Sequence, residues 1–186
     1  MDRNTTDMQA IIAKAKDGDK DAFGVLYQEF YTPVYRYIYF RVSSKDEAEE
    51  LAQDVFVKAM NAFTRYEART NTPLPYFYTI ARNTVIDWQK KKRGVHVDQE
   101  MFMEIADDTS KTDKQAVVSE ELVALKKALQ ELPEDQREAL ELRFFNDLSG
   151  REVAQVMGKS EESVRQLQSR GMKALKSHFQ TAYGTV

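Results

Sequence analysis

From Asp19 to Arg93 apolar residues recur three and four positions apart, the period of helices that bury one face. In the stretch Asp21 to Val42 these are Phe23, Leu26, Tyr27, Phe30, Val34, Tyr37 and Ile38, with Pro33 expected to kink or break the helix. Ser44 is placed to cap a helix that begins Lys45-Asp46-Glu47, with acids in its first turn, and runs to about Phe63. A third helix is expected from near Pro75 through Trp88 into Lys90-Lys91-Lys92-Arg93, where cations suit a helix end. From Gly94 to about Thr112 the pattern fails and the chain turns acidic, with Asp98, Glu100, Glu104, Asp107 and Asp108 against Lys111. Helical periodicity returns from about Asp113 to Phe179. There Leu132-Pro133-Glu134-Asp135 starts a helix with Pro at its first position, and Ser149-Gly150-Arg151-Glu152 reads as a capping box. Gly158 would end that short helix and Ser160 would cap the next. The pattern therefore predicts an all-α protein of two small helical domains, residues 1–93 and 119–186, joined by an acidic flexible linker over 94–118.

Three segments carry more than packing. On a helical wheel Ala48, Leu51, Ala52, Val55, Phe56, Ala59, Ala62 and Phe63 form one apolar arc, with Glu50, Gln53, Asp54, Val57 and Met60 opposite. Exposed Val57 and Met60 ringed by Glu50, Gln53 and Asp54 resemble a docking patch, although isolated apolar surface residues are also common. In the next helix Phe77, Ile80, Ala81, Val85 and Trp88 share a face, which assigns Trp88 to the core. The other side and the loop before it offer Tyr76, Tyr78, Arg82, Asn83, Gln89 and the basic run. Rings, amides and cations together are what single-stranded DNA needs, though a helix with a lysine-rich end would read the same way. Ser149 to Leu175 fits a helix-turn-helix: Ala154 at the crossing, Gly158 in the turn, and Val164 and Leu167 as the buried pair of the second helix. Its remaining face shows Glu162, Ser163, Arg165, Gln166, Ser169 and Arg170, side chains suited to base edges and phosphates in a major groove. An ordinary helical hairpin with a polar outer face is the alternative.

Composition narrows the function. The chain has 186 residues and no cysteine, so disulfides, thiol redox sensing and cysteine zinc sites are excluded. Its two histidines, His96 and His178, lie far apart, and no metal site is expected. P-loop, dinucleotide and nucleophile-elbow patterns are absent from the sequence, so neither a cofactor nor a catalytic residue is assigned. The first residues, Met1 to Asp7, lack the apolar core of a secretion signal, and no apolar run is long enough to span a bilayer. A cytoplasmic protein without membrane insertion is expected. The net charge is −3, with a sequence pI of about 5.6, which is unusual for a protein that binds DNA by itself.

Asp46-Glu47-Ala48-Glu49-Glu50-Leu51-Ala52-Gln53-Asp54-Val55-Phe56 resembles the helix by which bacterial sigma factors grip the β′ coiled coil of RNA polymerase. Tyr76-Phe77-Tyr78-Thr79-Ile80-Ala81-Arg82-Asn83 followed by Asp87 is similar to their promoter-melting segment. Leu132 to Arg137, with Leu148-Ser149 through Leu175, is similar to their upstream-element-binding domain. Order and spacing resemble the short, two-domain extracytoplasmic-function group over nearly the whole chain.

The resemblance implies a non-enzymatic initiation factor whose partners are core RNA polymerase, through its β′ and β subunits, and promoter DNA. It implies polymerase contacts at Glu50, Gln53, Asp54 and Met60, beside Val57, and capture of a flipped −10 base by Asn83 and the loop before its helix. Tyr76, Tyr78, Arg82 and Gln89 are the accompanying −10 candidates. It assigns −35 reading to Glu162, Ser163, Arg165 and Gln166, with Arg170 on phosphate, and it threads the acidic linker through the RNA path. Thr79 departs from the Arg or Lys common in the group, Glu161 is acidic beside the expected DNA, and Val164-Arg165-Gln166-Leu167 is closer to the primary-sigma pattern. The resemblance also explains the charge deficit, since affinity would come from the polymerase. Many relatives are held inactive by an anti-sigma partner, and whether this chain has one stays open. The competing reading is a stand-alone helix-turn-helix regulator with a sensing domain at its N-terminus.

Overall fold

The structure is a computed structural model that describes residues 3–42, 44–68, 72–95 and 120–183. Among these residues the elements are helical throughout: α1 (Arg3–Lys16), α2 (Lys20–Tyr39), α3 (Lys45–Ala62), a single 3₁₀ turn (Phe63–Arg65), α4 (Leu74–Val95), α5 (Glu120–Gln130), α6 (Glu134–Phe144), α7 (Gly150–Met157) and α8 (Glu161–Tyr183). The chain divides into two compact units, residues 1–102 with 155–157 and residues 103–154 with 158–186. The linker expected over 94–118 lies outside the described residues, apart from 94 and 95 at the end of α4.

In the first unit helices start where short polar side chains relieve orphan backbone donors. Gly18 takes φ +91° to end α1, and the Asp19 carboxylate then accepts from the amides of Asp21 (2.9 Å) and Ala22 (3.0 Å). Ser44 Oγ accepts from the Glu47 amide at 3.2 Å, as the sequence predicts. The core is aromatic, with Phe77 of α4 at its hub. Its ring meets Phe30 at 5.5 Å, Phe56 at 5.1 Å, Phe63 at 6.2 Å and Phe23 at 6.4 Å, so α2, α3 and the 3₁₀ turn all close on α4. Each such pair adds about 0.5–1.5 kcal/mol beyond the area it buries, and together they fix α4 about its own axis.

Two expectations for this unit are corrected. Helix α1 precedes the first predicted element; its few apolar residues place Ile12 and Ala15 in the core against α2. Of the kink or break expected at Pro33, the break does not occur, because α2 continues through it to Tyr39. Proline removes one backbone donor, and burial of Phe30, Val34, Tyr37 and Ile38 on either side outweighs that loss.

The second unit packs Ala128, Leu129, Leu132, Leu140 and Leu175 into one cluster, with Leu125 and Phe179 against it. Pro133 stands at the cap of α6 rather than inside it, one residue from the expected position, and its carbonyl accepts from the amides of Gln136 and Arg137. The predicted capping box forms: Ser149 Oγ accepts from the Glu152 amide at 3.3 Å, and Glu152 Oε2 accepts from the Ser149 amide at 2.8 Å. Gly158 has φ +63°, which ends α7, and Ser160 Oγ accepts from the Ser163 amide at 3.1 Å to begin α8. Helix α8 crosses α6 closely at Gly171, where an added Cβ would stand 2.8 Å from Leu140 Cδ1.

Candidate functional site

Helix α3 buries Ala48, Leu51, Ala52, Val55, Phe56 and Ala59 and leaves Glu50, Gln53, Asp54, Val57 and Met60 in solvent. Val57 is 53% and Met60 42% exposed, so two apolar side chains stand among carboxylates and an amide on a face without intramolecular cover. That arrangement makes the face a candidate docking surface. Beside it, on α2, sequence reasoning missed a strip of tyrosines. Tyr27, Tyr31, Tyr35 and Tyr39 follow one another at ring separations of 5.1, 5.9 and 5.8 Å, and Tyr27 and Tyr31 lean on Phe56 at 4.9 and 6.0 Å. Their four-residue spacing, one per helical turn, is the signal that could have found them. Partial burial, with Tyr27 and Glu49 nearby, raises the Tyr31 hydroxyl above its ordinary pKa.

On α4 the hub residue Phe77 determines what faces out. Asn83 is exposed, Tyr76, Arg82 and Gln89 are half-buried, and Tyr76 lies two turns before Asn83 on the same side. The Tyr76 hydroxyl donates to the Ala59 carbonyl at 3.4 Å while its ring rests against Tyr66 (5.1 Å) and Phe63 (5.8 Å). Burial raises its pKa, partly opposed by Arg65.

Tyr78 is a correction. Two residues from Tyr76 it is turned about 200° round the helix, and it lies fully buried with its ring 5.3 Å from Tyr37. Burial drives its hydroxyl far above the usual range, Arg41 opposing in part. It holds α4 to α2 and offers no surface to DNA. Trp88 and Ile80 shift the other way, from expected core to half-buried, and Lys92 Nζ covers the Trp88 indole at 4.6 Å. The same ammonium meets Glu47 Oε1 at 3.1 Å, so one member of the basic run ties α4 to α3. The run's last cation, Arg93, falls where side chains are not described.

In α8 Glu162, Ser163, Arg165, Gln166 and Arg170 are all exposed, on the side away from buried Val164, Gly171 and Leu175. Leu167, expected as the second buried residue, is only half-buried; Leu175, two turns further on, joins the core instead. Glu162 gathers its neighbours, accepting from Arg165 Nη1 at 2.7 Å and Gln166 Nε2 at 3.3 Å. This cluster is solvated, so its ion pair contributes little stability and yields readily to a better partner. Lys159, Ser163, Gln166, Leu167 and Arg170 line a shallow depression of about 270 Å³. Lys159 was not anticipated; it stands in the turn between the two helices and pairs with Asp135 of α6 at 3.1 Å. Exposed Phe144 and Phe145, at the end of α6, were likewise not singled out.

Among the described residues no group of His, Cys, Asp and Glu could hold a metal ion, and no helix is long and apolar enough to cross a membrane. His178 sits 3.1 Å from Glu131, where α8 passes the end of α5, and His96 lies outside the described residues.

Comparison with known proteins matches residues 26–95 to Sigma-70 region 2 and residues 122–175 to Sigma-70, region 4. The ECF RNA polymerase sigma factor ShbA of Streptomyces griseus is 31% identical, over 95% of this chain and 97% of its own. The ECF RNA polymerase sigma factor BldN of Streptomyces coelicolor is 33% identical over 94% of this chain, which spans 66% of that protein's length. In Bacillus subtilis the ECF RNA polymerase sigma factor SigX is 28% identical over 87% of this chain and 85% of its own. Among solved structures, CnrH in complex with the cytosolic domain of CnrY has a TM-score of 0.67 at 19% identity, covering 92% of this chain and 96% of that one. RpoE of Bartonella quintana, in complex with the anti-sigma factor NepR, has a TM-score of 0.62 at 22% identity, covering 85% of this chain and 96% of that one. At these identities the two structures establish the fold.

Proposed function

Since the chain belongs to the ECF sigma factors of RNA polymerase, we propose a division of labour in which α3 holds the enzyme, α4 takes the melted −10 strand and α8 reads the −35 duplex. A sigma factor binds core polymerase and directs it to promoters, which leaves the stand-alone regulator without support. The exposed α3 face carries the first assignment: Val57 and Met60 stay in solvent within the region 2 match, between Glu50, Gln53 and Asp54. The polymerase buries that apolar pair, and the flanking polar groups give it orientation. We assign residues 1–93 and 119–186 to these two tasks and residues 94–118 to a linker. Family members are initiation factors rather than enzymes, and we assign no catalytic residue. The protein works in the cytoplasm, where its polymerase is.

For promoter opening the amide of Asn83 pairs with the edge of an extruded base, which it cannot reach inside a duplex. Tyr76 supplies a ring edge and Arg82 and Gln89 line the neighbouring stripe of α4; Tyr78 has no part. On α8 Arg165 and Gln166 leave Glu162 to meet base edges in the major groove, Ser163 follows on the same face, and Arg170 meets phosphate.

The test is reconstitution with core polymerase, scored as promoter-dependent transcription and polymerase affinity. Gln53→Ala and Met60→Ala should each weaken core binding, by more than about fivefold if they are hot spots. Unchanged affinity in both would overturn the α3 assignment. In holoenzyme Asn83→Ala should spare closed complexes and impair opening, with partial rescue on a premelted template. Arg165→Ala should weaken duplex binding by about 1–3 kcal/mol without such rescue. Equal rescue of the two variants would refute the division.

A further inference from the structure

Lys58 lies one turn after Asp54 on α3, and its ammonium reaches two places at once. It stands 3.7 Å from Asp54 Oδ2, a carboxylate of the exposed α3 face, and donates to Thr84 Oγ1 of α4 at 3.2 Å. Thr84 is buried and immediately follows Asn83. We propose that Lys58 is a positioning residue that links the polymerase-facing carboxylate Asp54 to the turn of α4 that presents Asn83. The inference rests on the reading of α3 and α4 above.

The two contacts differ in kind. The Asp54 pair is solvated, with side chains 60% and 52% exposed, so by itself it adds little. The bond to Thr84 is charge-assisted and ends on a hydroxyl with almost no access to water, so it fixes where the ammonium sits. Apolar packing at Phe77 sets α4 against the core, and buried Ala81 and Val85 continue it past Asn83, so the bond from Lys58 adds a polar tie at Thr84 to a turn already packed on its inner face. Further along α4, Lys92 meets Glu47 of α3. Lys58 therefore acts at the turn that carries Asn83. When polymerase engages Asp54 it competes with Lys58 for the carboxylate, and the ammonium is left to Thr84. Docking on α3 is thereby felt beside Asn83, and a base is captured best once the enzyme is bound.

The experiment uses holoenzyme at saturating core polymerase, so that changes in docking do not enter. Lys58→Met and Thr84→Val each remove the bond, whereas Lys58→Arg and Thr84→Ser keep a donor and an acceptor. Permanganate reactivity reads opening, and competition between templates altered at the captured base reads base preference. Lys58→Met and Thr84→Val should each lower opening and base preference severalfold, the double variant no further, and the two conservative variants should recover most of both. Circular dichroism of each variant checks the fold, and a loss of opening with unchanged base preference counts as structural damage and overturns the proposal. Parent-like behaviour of Lys58→Met and Thr84→Val, or additive losses, overturns it too. Asn83→Ala in parallel separates the failures: if it leaves base preference unchanged the underlying reading is wrong, and if it alone changes preference only the Lys58 link is wrong.

Discussion

Gly171 and Gly24 both sit inside helices, and the same substitution should move stability in opposite directions at the two sites. At Gly24, in α2, an added Cβ meets nothing within 4 Å. Gly24→Ala therefore gains the intrinsic helix preference alone, about 0.8–1 kcal/mol. At Gly171, in α8, the added Cβ would lie 2.8 Å from Leu140 Cδ1, 3.3 Å from Leu140 Cγ and 3.5 Å from Gln136 Cβ. Carbon atoms prefer about 3.5–4.0 Å, so Leu140 must retreat by nearly 1 Å. It has little room, being enclosed by Ala128, Leu129, Leu132 and Leu175. Overpacking of this kind costs about 1–3 kcal/mol, which exceeds the helix gain and leaves Gly171→Ala destabilised by roughly 1 kcal/mol.

Native-state hydrogen exchange is the appropriate assay, because amides of α2 and of α6 and α8 report the two units separately. Fluorescence does not serve, since the single tryptophan, Trp88, belongs to α4. Leu140→Ala should cost about 2–5 kcal/mol in the parent and markedly less beside Gly171→Ala, a coupling that only direct contact produces. If Gly171→Ala protects α8 as much as Gly24→Ala protects α2, Leu140 yields freely, and the close crossing does not set the position of the helix that bears Arg165.

Three further outcomes are expected. Burial raises the Tyr78 pKa above its ordinary value near 10, so the neutral form stabilises the fold fully below about pH 10 and that contribution falls as pH rises further; alkaline titration of unfolding should show a shallower loss in Tyr78→Phe than in the parent, and equal slopes would exclude Tyr78 as the source. Ser149→Ala removes the acceptor for the Glu152 amide and should cost about 1 kcal/mol, read as faster exchange in α7; unchanged exchange would mean that the box contributes nothing. With a net charge of −3, the free chain should bind promoter duplex far more weakly than its polymerase complex does; specific binding by free protein at about 10 nM or tighter in a gel shift would contradict that.

The helical wheel of α3 is legible because its two faces differ in chemistry: alanines and branched aliphatics on one side, carboxylates and amides on the other. The buried set, Ala48, Leu51, Ala52, Val55, Phe56 and Ala59, falls within the predicted arc. The same method misplaces Tyr78 on α4 because tyrosine has an apolar ring and a polar tip, so pattern alone cannot say which end matters. Only the tertiary partner, Tyr37, decides it. Trp88 errs in the opposite sense, since it is large, lies toward the end of its helix and is covered by Lys92 rather than by the core. Helix α1 escapes detection for want of contrast: Ile11, Ile12 and Ala15 are too few to mark a period before α2 supplies the packing. Caps were read correctly at Ser44, Ser149, Gly158 and Ser160 because capping is local chemistry, settled within four residues.

The first turn of α8 shows how a DNA-reading helix can sit on an acidic chain. Glu161 and Glu162 lie at the positive end of the helix dipole, where carboxylates stabilise it by about 0.3–1 kcal/mol. The same charges oppose approach to phosphate, and Glu162 holds both Arg165 and Gln166 in the absence of DNA. On the proposed reading, binding exchanges the solvated carboxylate that Arg165 now holds for a base edge. The gain would lie in geometry more than in net charge, since a bidentate base contact supplies two directional bonds where the exposed pair supplies one from Arg165. A helix built this way discriminates better than it attracts. On that reading attraction is left to the polymerase, which would bring α8 to the duplex and make an exchange that is weak in the free chain sufficient to choose one promoter over another.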